Sequence, residues 1–184
     1  VTSNQLVLRV IDALHRIGID YMLVGSYSSN AYGVARSTQD ADFVIELGER
    51  SITPLIQALA PELQFDPQMR LESVTMTARY VAKHSESGFK IELFMLSNDA
   101  HDRERFKRRS QQPFLNASAF LPTPEDVLVQ KLRWFHHARR AKDLDDARNV
   151  LAVQVVTLDF DYIRNWCDQH GTRELFEQLL KEVS

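Results

Sequence analysis

A single cysteine, Cys167, stands among the 184 residues, so no disulfide can form within the chain. That excludes a small domain stapled by disulfides and fits a reducing cytoplasm. No apolar run reaches the ~20 residues that a membrane helix requires, and no signal-peptide pattern is present. The chain opens on Val1 rather than methionine, so one or more residues are expected upstream. Charge of one sign is scarce: 22 Lys and Arg against 25 Asp and Glu leave a formal net charge of −3. This balance argues against a surface coated for bulk nucleic-acid binding. A local basic patch remains compatible with it, because net charge reports steering and solubility rather than sites. Internal repeats, low-complexity tracts and long linkers are missing too. What is left is an ordinary globular composition, 44% hydrophobic and 26% charged, enough for a sizeable core. The length suits one domain, or a compact core with a helical appendage.

Leu6, Val7, Val10, Ile11, Leu14 and Ile17 recur at helical spacing and predict an amphipathic helix that stops at Gly18. Ile19 to Val24 reads as a strand, Ser26 to Tyr32 as a short helix ended by Gly33, and Ala41 to Leu47 as a second strand. Ile52 to Leu63 reads as a helix with Pro54 in its first turn. Val74 to Ala82 and Phe89 to Leu96 read as a hairpin around Ser85-Glu86-Ser87-Gly88. A charged segment runs from Asp99 to Arg109. Past Pro113 the pattern turns helical. Thr123 is a cap, Pro124 a first helical residue, and Glu125 and Asp126 complement the helix dipole. Helical segments continue to Lys181, with breaks near Arg140, Thr157 and Gly171. The expected class is α/β (α+β), with an α/β core over residues 1–112 and a helical region over residues 113–184 packed on it.

The segment that carries chemistry is Tyr21-Met22-Leu23-Val24-Gly25-Ser26, followed by Asp40-Ala41-Asp42-Phe43. Side chains alternate along a strand, so Asp40 and Asp42 project the same way. Two like charges so close repel unless a cation separates them, and hard divalent cations such as Mg²⁺ favour carboxylate and phosphate oxygens. Gly25 and Ser26 offer a turn without a Cβ, a hydroxyl, and the first free N–H groups of a helix, which together make a seat for phosphate. A phosphate seat beside a metal seat points to phosphoryl or nucleotidyl transfer.

This arrangement resembles the nucleotidyltransferase superfamily, whose motif is a hydrophobic residue, Gly, Gly or Ser, a spacer and Asp-x-Asp. Here it is Val24-Gly25-Ser26, then Asp40-Ala41-Asp42, with Glu92 in Phe89-Lys90-Ile91-Glu92-Leu93-Phe94 in the place of the third carboxylate. Leu121 to Trp134, with Lys131, is similar to the helix after the catalytic half in the AbiEii-like toxin group and its stand-alone relatives. Arg139 or Arg140 and the acidic stretch Lys142-Asp143-Leu144-Asp145-Asp146 continue that similarity, as does Leu158 to Trp166. The resemblance implies a mixed β-sheet flanked by helices, and a two-ion Mg²⁺ site on Asp40, Asp42 and Glu92 at which Mn²⁺ can substitute. It implies an NTP seated by Gly25 and Ser26, with Lys131 as a cation on the triphosphate or transition state. The acceptor it implies is a tRNA end, a protein hydroxyl or a small molecule, and a cognate antitoxin is a partner consistent with the group.

Each candidate has a plainer alternative. Asp40 and Asp42 also suit a solvated strand end, and Glu92 an exposed edge strand paired with Lys90 or Arg79. Besides holding metal, Glu92 is a candidate general base. Arg36 is positioned to reach a triphosphate and Ser37 and Thr38 to orient carboxylates, or all three form a polar loop. Lys131 is otherwise a solvated helix lysine, and Asp143 and Asp146 are otherwise acids at a helix start. Arg103, Arg105, Lys107, Arg108 and Arg109, with His136, His137, Arg139 and Arg140, line a polyanion groove or a solvated charged face. Trp134, Trp166 and Tyr162 fall at core spacing. Besides the enzyme, two other functions compete: a catalytically silent nucleotide- or partner-binding scaffold of the same fold, and a metal nuclease. The nuclease ranks third because Lys90-Ile91-Glu92 reverses the expected order of acid and lysine.

Overall fold

The structure is a computed structural model that describes residues 1–183. Helix α1 (Ser3–Ile17) opens with a reciprocal capping box between Thr2 and Gln5 and closes on Gly18 in the left-handed conformation. Strand β1 (Asp20–Val24) leads directly into α2 (Gly25–Tyr32), and β2 (Asp40–Glu46) follows. Helix α3 (Thr53–Leu59) is shorter than the Ile52–Leu63 pattern predicts. A residue before proline is pushed out of the helical region, and Ala60, before Pro61, is extended at ψ 153°. The chain then enters β3 (Leu63–Phe65), followed by β4 (Arg70–Leu71). Strands β5 (Ala78–His84) and β6 (Lys90–Met95) form the expected hairpin, shifted four residues later at its start.

The sheet order is β1-β2-β6-β5-β3, with β4 beside β5. β2 and β6 pair in parallel and every other pair in this sheet is antiparallel, so the sheet is mixed as expected. Helix α4 (Ala100–Arg108) follows, and then a second hairpin that the sequence pattern hides, β7 (Ser110–Phe114) and β8 (Ala117–Leu121). The sequence-based division between residues 112 and 113 falls inside this hairpin. Helices α5 (Pro124–Ala138), α6 (Ala141–Gln154), α7 (Phe160–His170) and α8 (Arg173–Val183) complete the described chain. Among the described residues no helix is long and apolar enough to cross a membrane.

Strand alternation sorts the sheet into two faces. Tyr21, Leu23, Phe43, Ile45, Ile91 and Leu93 point into the main core with α1 and α3. Met22, Val24 and Val44 point the other way and meet Phe106 of α4. Asp40, Asp42 and Glu92 belong to that second face. A separate helical core gathers Leu128, Leu132, Val150, Leu151, Ile163 and Phe176, and Tyr32 of α2 packs against both cores. The two halves thus share a wall at α2, above the second face of the sheet.

Candidate active site

The carboxylates are assembled by register. In the parallel β2–β6 pair Asp42 lies beside Glu92, and in the antiparallel β1–β2 pair it lies beside Val24. Asp40, two residues earlier, shares the face. Thr38 Oγ1 donates to Asp40 Oδ1 at 2.7 Å, the orienting role expected of it. Arg79 Nη1 donates to Glu92 Oε2 at 3.1 Å. Arg79 is therefore the partner anticipated for Glu92, but the edge-strand alternative fails because β6 lies between β2 and β5. Burial, then the charges of Glu92 and Asp40, push the Asp42 carboxyl up to about 7, against the opposing pull of Lys131 and Lys142. Asp42 itself accepts no hydrogen bond from a described residue.

Gly25 sits against this group with φ +64°, and a Cβ there would lie 2.1 Å from Asp42 Oδ2. Both the backbone angle and the close approach demand glycine. Helix α2 starts at that residue with no side-chain cap on its first turn, which leaves N–H donors free for an anion. The hydroxyls of Ser28 and Ser29 turn back onto the Gly25 carbonyl at 3.0 and 3.3 Å. Ser26 Oγ accepts from Arg36 Nη2 at 2.9 Å.

Arg36 does not extend toward the cleft. Its Nε and Nη2 grip Asp146 of α6 at 2.8 and 2.9 Å, a bidentate pair. Lys131 of α5 meets the same carboxylate at 2.8 Å and Asp143 at 3.1 Å. Lys131 is no solvated helix lysine, being only 8% exposed; Asp143 does stand in the first turn of α6, as its plainer alternative has it, but it and Asp146 are buried and paired with cations. Burial alone would raise the Asp146 carboxyl, yet hydrogen bonds from Arg36 and Lys131 hold it down at about 2. Arg140 closes the cluster on Asp143 Oδ2 at 2.7 Å. Asp146 is the joint at which the α2 seat and the α5 lysine are fixed to each other.

Between the second sheet face and α5 lies a cavity of about 230 Å³. Gly25, Ser26, Asp40, Asp42, Glu92 and Lys131 all line it, whereas Arg36 and Thr38 stand behind it. Sequence reasoning overlooked Gln130 and misjudged Trp134, which borders the cavity half-buried instead of joining the core. A signal was available, because Val127, Gln130, Lys131 and Trp134 share one helical face at i, i+3, i+4 and i+7.

The basic segment is corrected most. His101 is wholly buried with Nε2 3.1 Å from Asp126 Oδ1, and Arg105 pairs with Asp102 at 2.8 Å. Arg103 reaches Glu46, Arg108 reaches Asp126, and Arg109 reaches Asp20. Arg108 also stacks on Tyr162 at 3.9 Å. With these four arginines paired to acids, α4 and its C-cap tie the sheet to the helical half, while Lys107, His136, His137 and Arg139 stay exposed.

The donor set on the sheet, three carboxylates, is of the hard-oxygen kind that suits Mg²⁺ or Mn²⁺. As they stand, no three His, Cys, Asp or Glu side chains among the described residues close into a ligand cage. Asp40, Asp42 and Glu92 are the residues that would hold such a cation, and Arg79 is already bonded to Glu92.

In sequence, no protein-family model and no curated protein matches the chain. In structure it is similar to the antibiotic-resistance factor ANT(2'')-Ia solved with adenylyl-2''-tobramycin. That match has 12% identity and a TM-score of 0.64, over 95% of this chain and 99% of that one. An antigenic nucleotidyltransferase-like protein from Paracoccidioides brasiliensis matches at 17% identity and TM-score 0.60, over 98% and 94%. The lincosamide antibiotic adenylyltransferase LnuA, bound to lincomycin, matches at 15% identity and TM-score 0.56, over 83% and 98%. Three such matches along most of both chains, on top of the mixed sheet and its flanking helices, give one conclusion: this chain has the nucleotidyltransferase fold.

Proposed function

We propose that the chain is a metal-dependent nucleotidyltransferase that moves a nucleoside monophosphate from an NTP to an acceptor hydroxyl and releases pyrophosphate. The observation that carries this reading is the register of β2 and β6, which sets Asp42 beside Glu92 on the cleft face while Gly25 begins α2 next to them. The structural neighbours support it, since two of them are named for transfer of an adenylyl group or solved with an adenylylated product.

In the step itself an acceptor oxygen forms a bond to the α-phosphorus, and the bond from that phosphorus to the bridging oxygen breaks. Pyrophosphate leaves with the electron pair, and the hydroxyl proton passes to a cleft carboxylate or to water. The α2 amides and the Ser26 hydroxyl hold the phosphates, and Arg36 keeps that hydroxyl in position through its bond at 2.9 Å. Lys131 supplies a fixed positive charge on the opposite side of the cleft. Asp40, Asp42 and Glu92 would hold Mg²⁺ or Mn²⁺, which when bound lowers the pKa of the acceptor hydroxyl and offsets charge on the phosphates.

A second reading has an observation of its own. Glu92 is engaged by Arg79, and Lys131 by two aspartates, so the same contacts would stabilise a silent nucleotide- or partner-binding scaffold. A toxin paired with an antitoxin in the cytoplasm, acting on tRNA or protein, rests only on the sequence likeness of the Lys131 helix, the acidic stretch after it and Leu158 to Trp166. Calorimetric titration of the four NTPs with and without Mg²⁺, on wild type and on Asp40→Asn/Asp42→Asn, separates these readings when joined to a pyrophosphate-release assay. Metal-dependent binding lost in the variant, with release on adding acceptor extracts, is the expected result. Binding without any release supports the nucleotide-binding scaffold, and no binding of any NTP refutes the transferase and leaves the partner-binding scaffold.

A further inference from the structure

The cations that border the cavity differ in what holds them. Lys131 meets Asp143 and Asp146, and Arg140 grips Asp143 Oδ2 through Nε and Nη2 at 2.8 and 2.7 Å. Arg79 is paired with Glu92 and Arg105 with Asp102. Lys142 lines the same cavity, is exposed, and makes no ion pair or hydrogen bond with a described residue. Among the described residues it is the one cavity cation without a resident acid. Acids are close by in sequence, since a helix lysine finds its partners at i+3 and i+4. Here Asp145 turns to Arg148 at 3.0 Å, and Asp146 to Arg36 and Lys131 at 2.8 Å. Lys142 also stands in the first turn of α6, where the helix dipole opposes a positive charge. The position costs stability and returns no contact within the fold, and a local rule broken in this way points to function.

The packing of α6 on α2 locates that charge. Gly33 abuts the α6 backbone, where a Cβ would lie 3.0 Å from the Val150 nitrogen. One turn earlier, Ser29 Oγ donates to Asp146 Oδ2 at 3.1 Å. Both helices advance four residues between these two contacts, so they run side by side in the same direction. One further turn back, about 6 Å along each axis, the register brings Lys142 level with Gly25, where the free N–H groups of α2 begin. The charge of Lys142 also acts on Asp42, the carboxylate that lies against Gly25. Two independent relations, helix register and charge, thus set this lysine over the phosphate seat.

We propose that Lys142 is the side-chain cation of the nucleotide site, binding the β- and γ-phosphates seated on α2 and staying with pyrophosphate as it leaves. The inference rests on the transferase reading above and adds a residue to its machinery. When the bond from the α-phosphorus to the bridging oxygen breaks, the electron pair passes to pyrophosphate, and a nearby ammonium stabilises that added charge. Lys131 is fixed by two aspartates, so it cannot follow the leaving group. Lys142 can, on a flexible four-carbon stem at the exposed rim. Its three N–H donors are all free for phosphate oxygens.

The test is calorimetry on the full chain with Mg²⁺, using the NTP that wild type binds most tightly, its NMP, and inorganic tripolyphosphate. The variants are Lys142→Met, Lys142→Arg and, as a control at an exposed lysine outside the cavity, Lys107→Met, with a thermal midpoint for each. Lys142→Met should weaken NTP and tripolyphosphate binding by about ten-fold, the loss of one charge-assisted contact, and change NMP binding by less than about two-fold. Lys142→Arg should keep most of the wild-type affinity, and Lys107→Met all of it. The midpoint of Lys142→Met should equal or exceed that of wild type, because a positive charge leaves the first turn of α6. Unchanged NTP affinity in Lys142→Met, an equal loss for NMP, or an equal loss in Lys107→Met would each overturn the assignment. Absence of NTP binding in wild type would instead remove the transferase reading on which it rests.

Discussion

Asp42→Asn should make the metal-free protein more stable at neutral pH. Asparagine keeps the shape of the side chain and cannot ionise, and Asp42 accepts no hydrogen bond that the change would break. Raising a carboxyl from 3.8 to about 7 corresponds to a ceiling of about 4 kcal/mol. Asp42 is half-buried and faces the cleft, so solvent and ions reduce the cost to roughly 1–3 kcal/mol. The sign follows from linkage. Between its unfolded and folded pKa the native state holds a proton that the unfolded state has released, so stability falls as pH rises from about 4 to about 7. At pH 7.5 nearly the whole cost is present and the variant should melt higher by about 2–12 °C, at roughly 2–4 °C per kcal/mol for a domain of this size. The gap should narrow as pH falls and vanish near pH 4. Adding Mg²⁺ at pH 7.5 should stabilise wild type and change the variant much less. The assay is thermal and urea unfolding across pH 4–8, with and without Mg²⁺. A variant that is equally or less stable at pH 7.5 would refute the reasoning, because the carboxylate would then be holding structure together.

Gly25→Ala should abolish metal-dependent NTP binding while the fold persists, since the new Cβ would lie 2.1 Å from Asp42 Oδ2 on a backbone at φ +64°; calorimetry with undiminished affinity would contradict this. Asp146→Ala leaves the cations of Lys131 and Arg36 without their shared carboxylate, and should cost about 3 kcal/mol in urea unfolding, with Asp146→Asn costing less. The depressed carboxyls of Asp146 and Asp99, both at about 2, contribute stability that is complete above pH ~4 and lost as pH falls toward 2. Denaturant midpoints between pH 2 and 5 should drop less steeply in Asp146→Asn than in wild type.

How much of this was legible in the sequence depends on how far apart the partners lie. Asp40 and Asp42 share a face by strand alternation, and Gly25 precedes a helix by local pattern, so this part could be read in order. Glu92 was visible as an acid between apolar neighbours, but its place beside Asp42 comes from a parallel pairing reached through α3 and the β3–β5 strands. No local pattern encodes that register. The basic segment misled for the same reason: Arg109 meets Asp20 and Arg108 meets Asp126, partners that only the fold brings near. The β7–β8 hairpin escaped because Ser110-Gln111-Gln112-Pro113-Phe114 has polar residues and a proline where strand patterns want β-branched ones. It is a two-stranded sheet, where a proline costs no central ladder bond.

The joint at Asp146 bears on how the two halves could act together. Ser26 at the phosphate seat is tied to Arg36, Arg36 to Asp146, and Asp146 to Lys131, all by contacts between 2.8 and 2.9 Å. A chain of charged contacts this short leaves little freedom between the start of α2 and the cleft face of α5. On the proposed reading, the distance between the phosphate donors and the lysine is set before any nucleotide arrives, so little reorganisation remains at the moment of transfer.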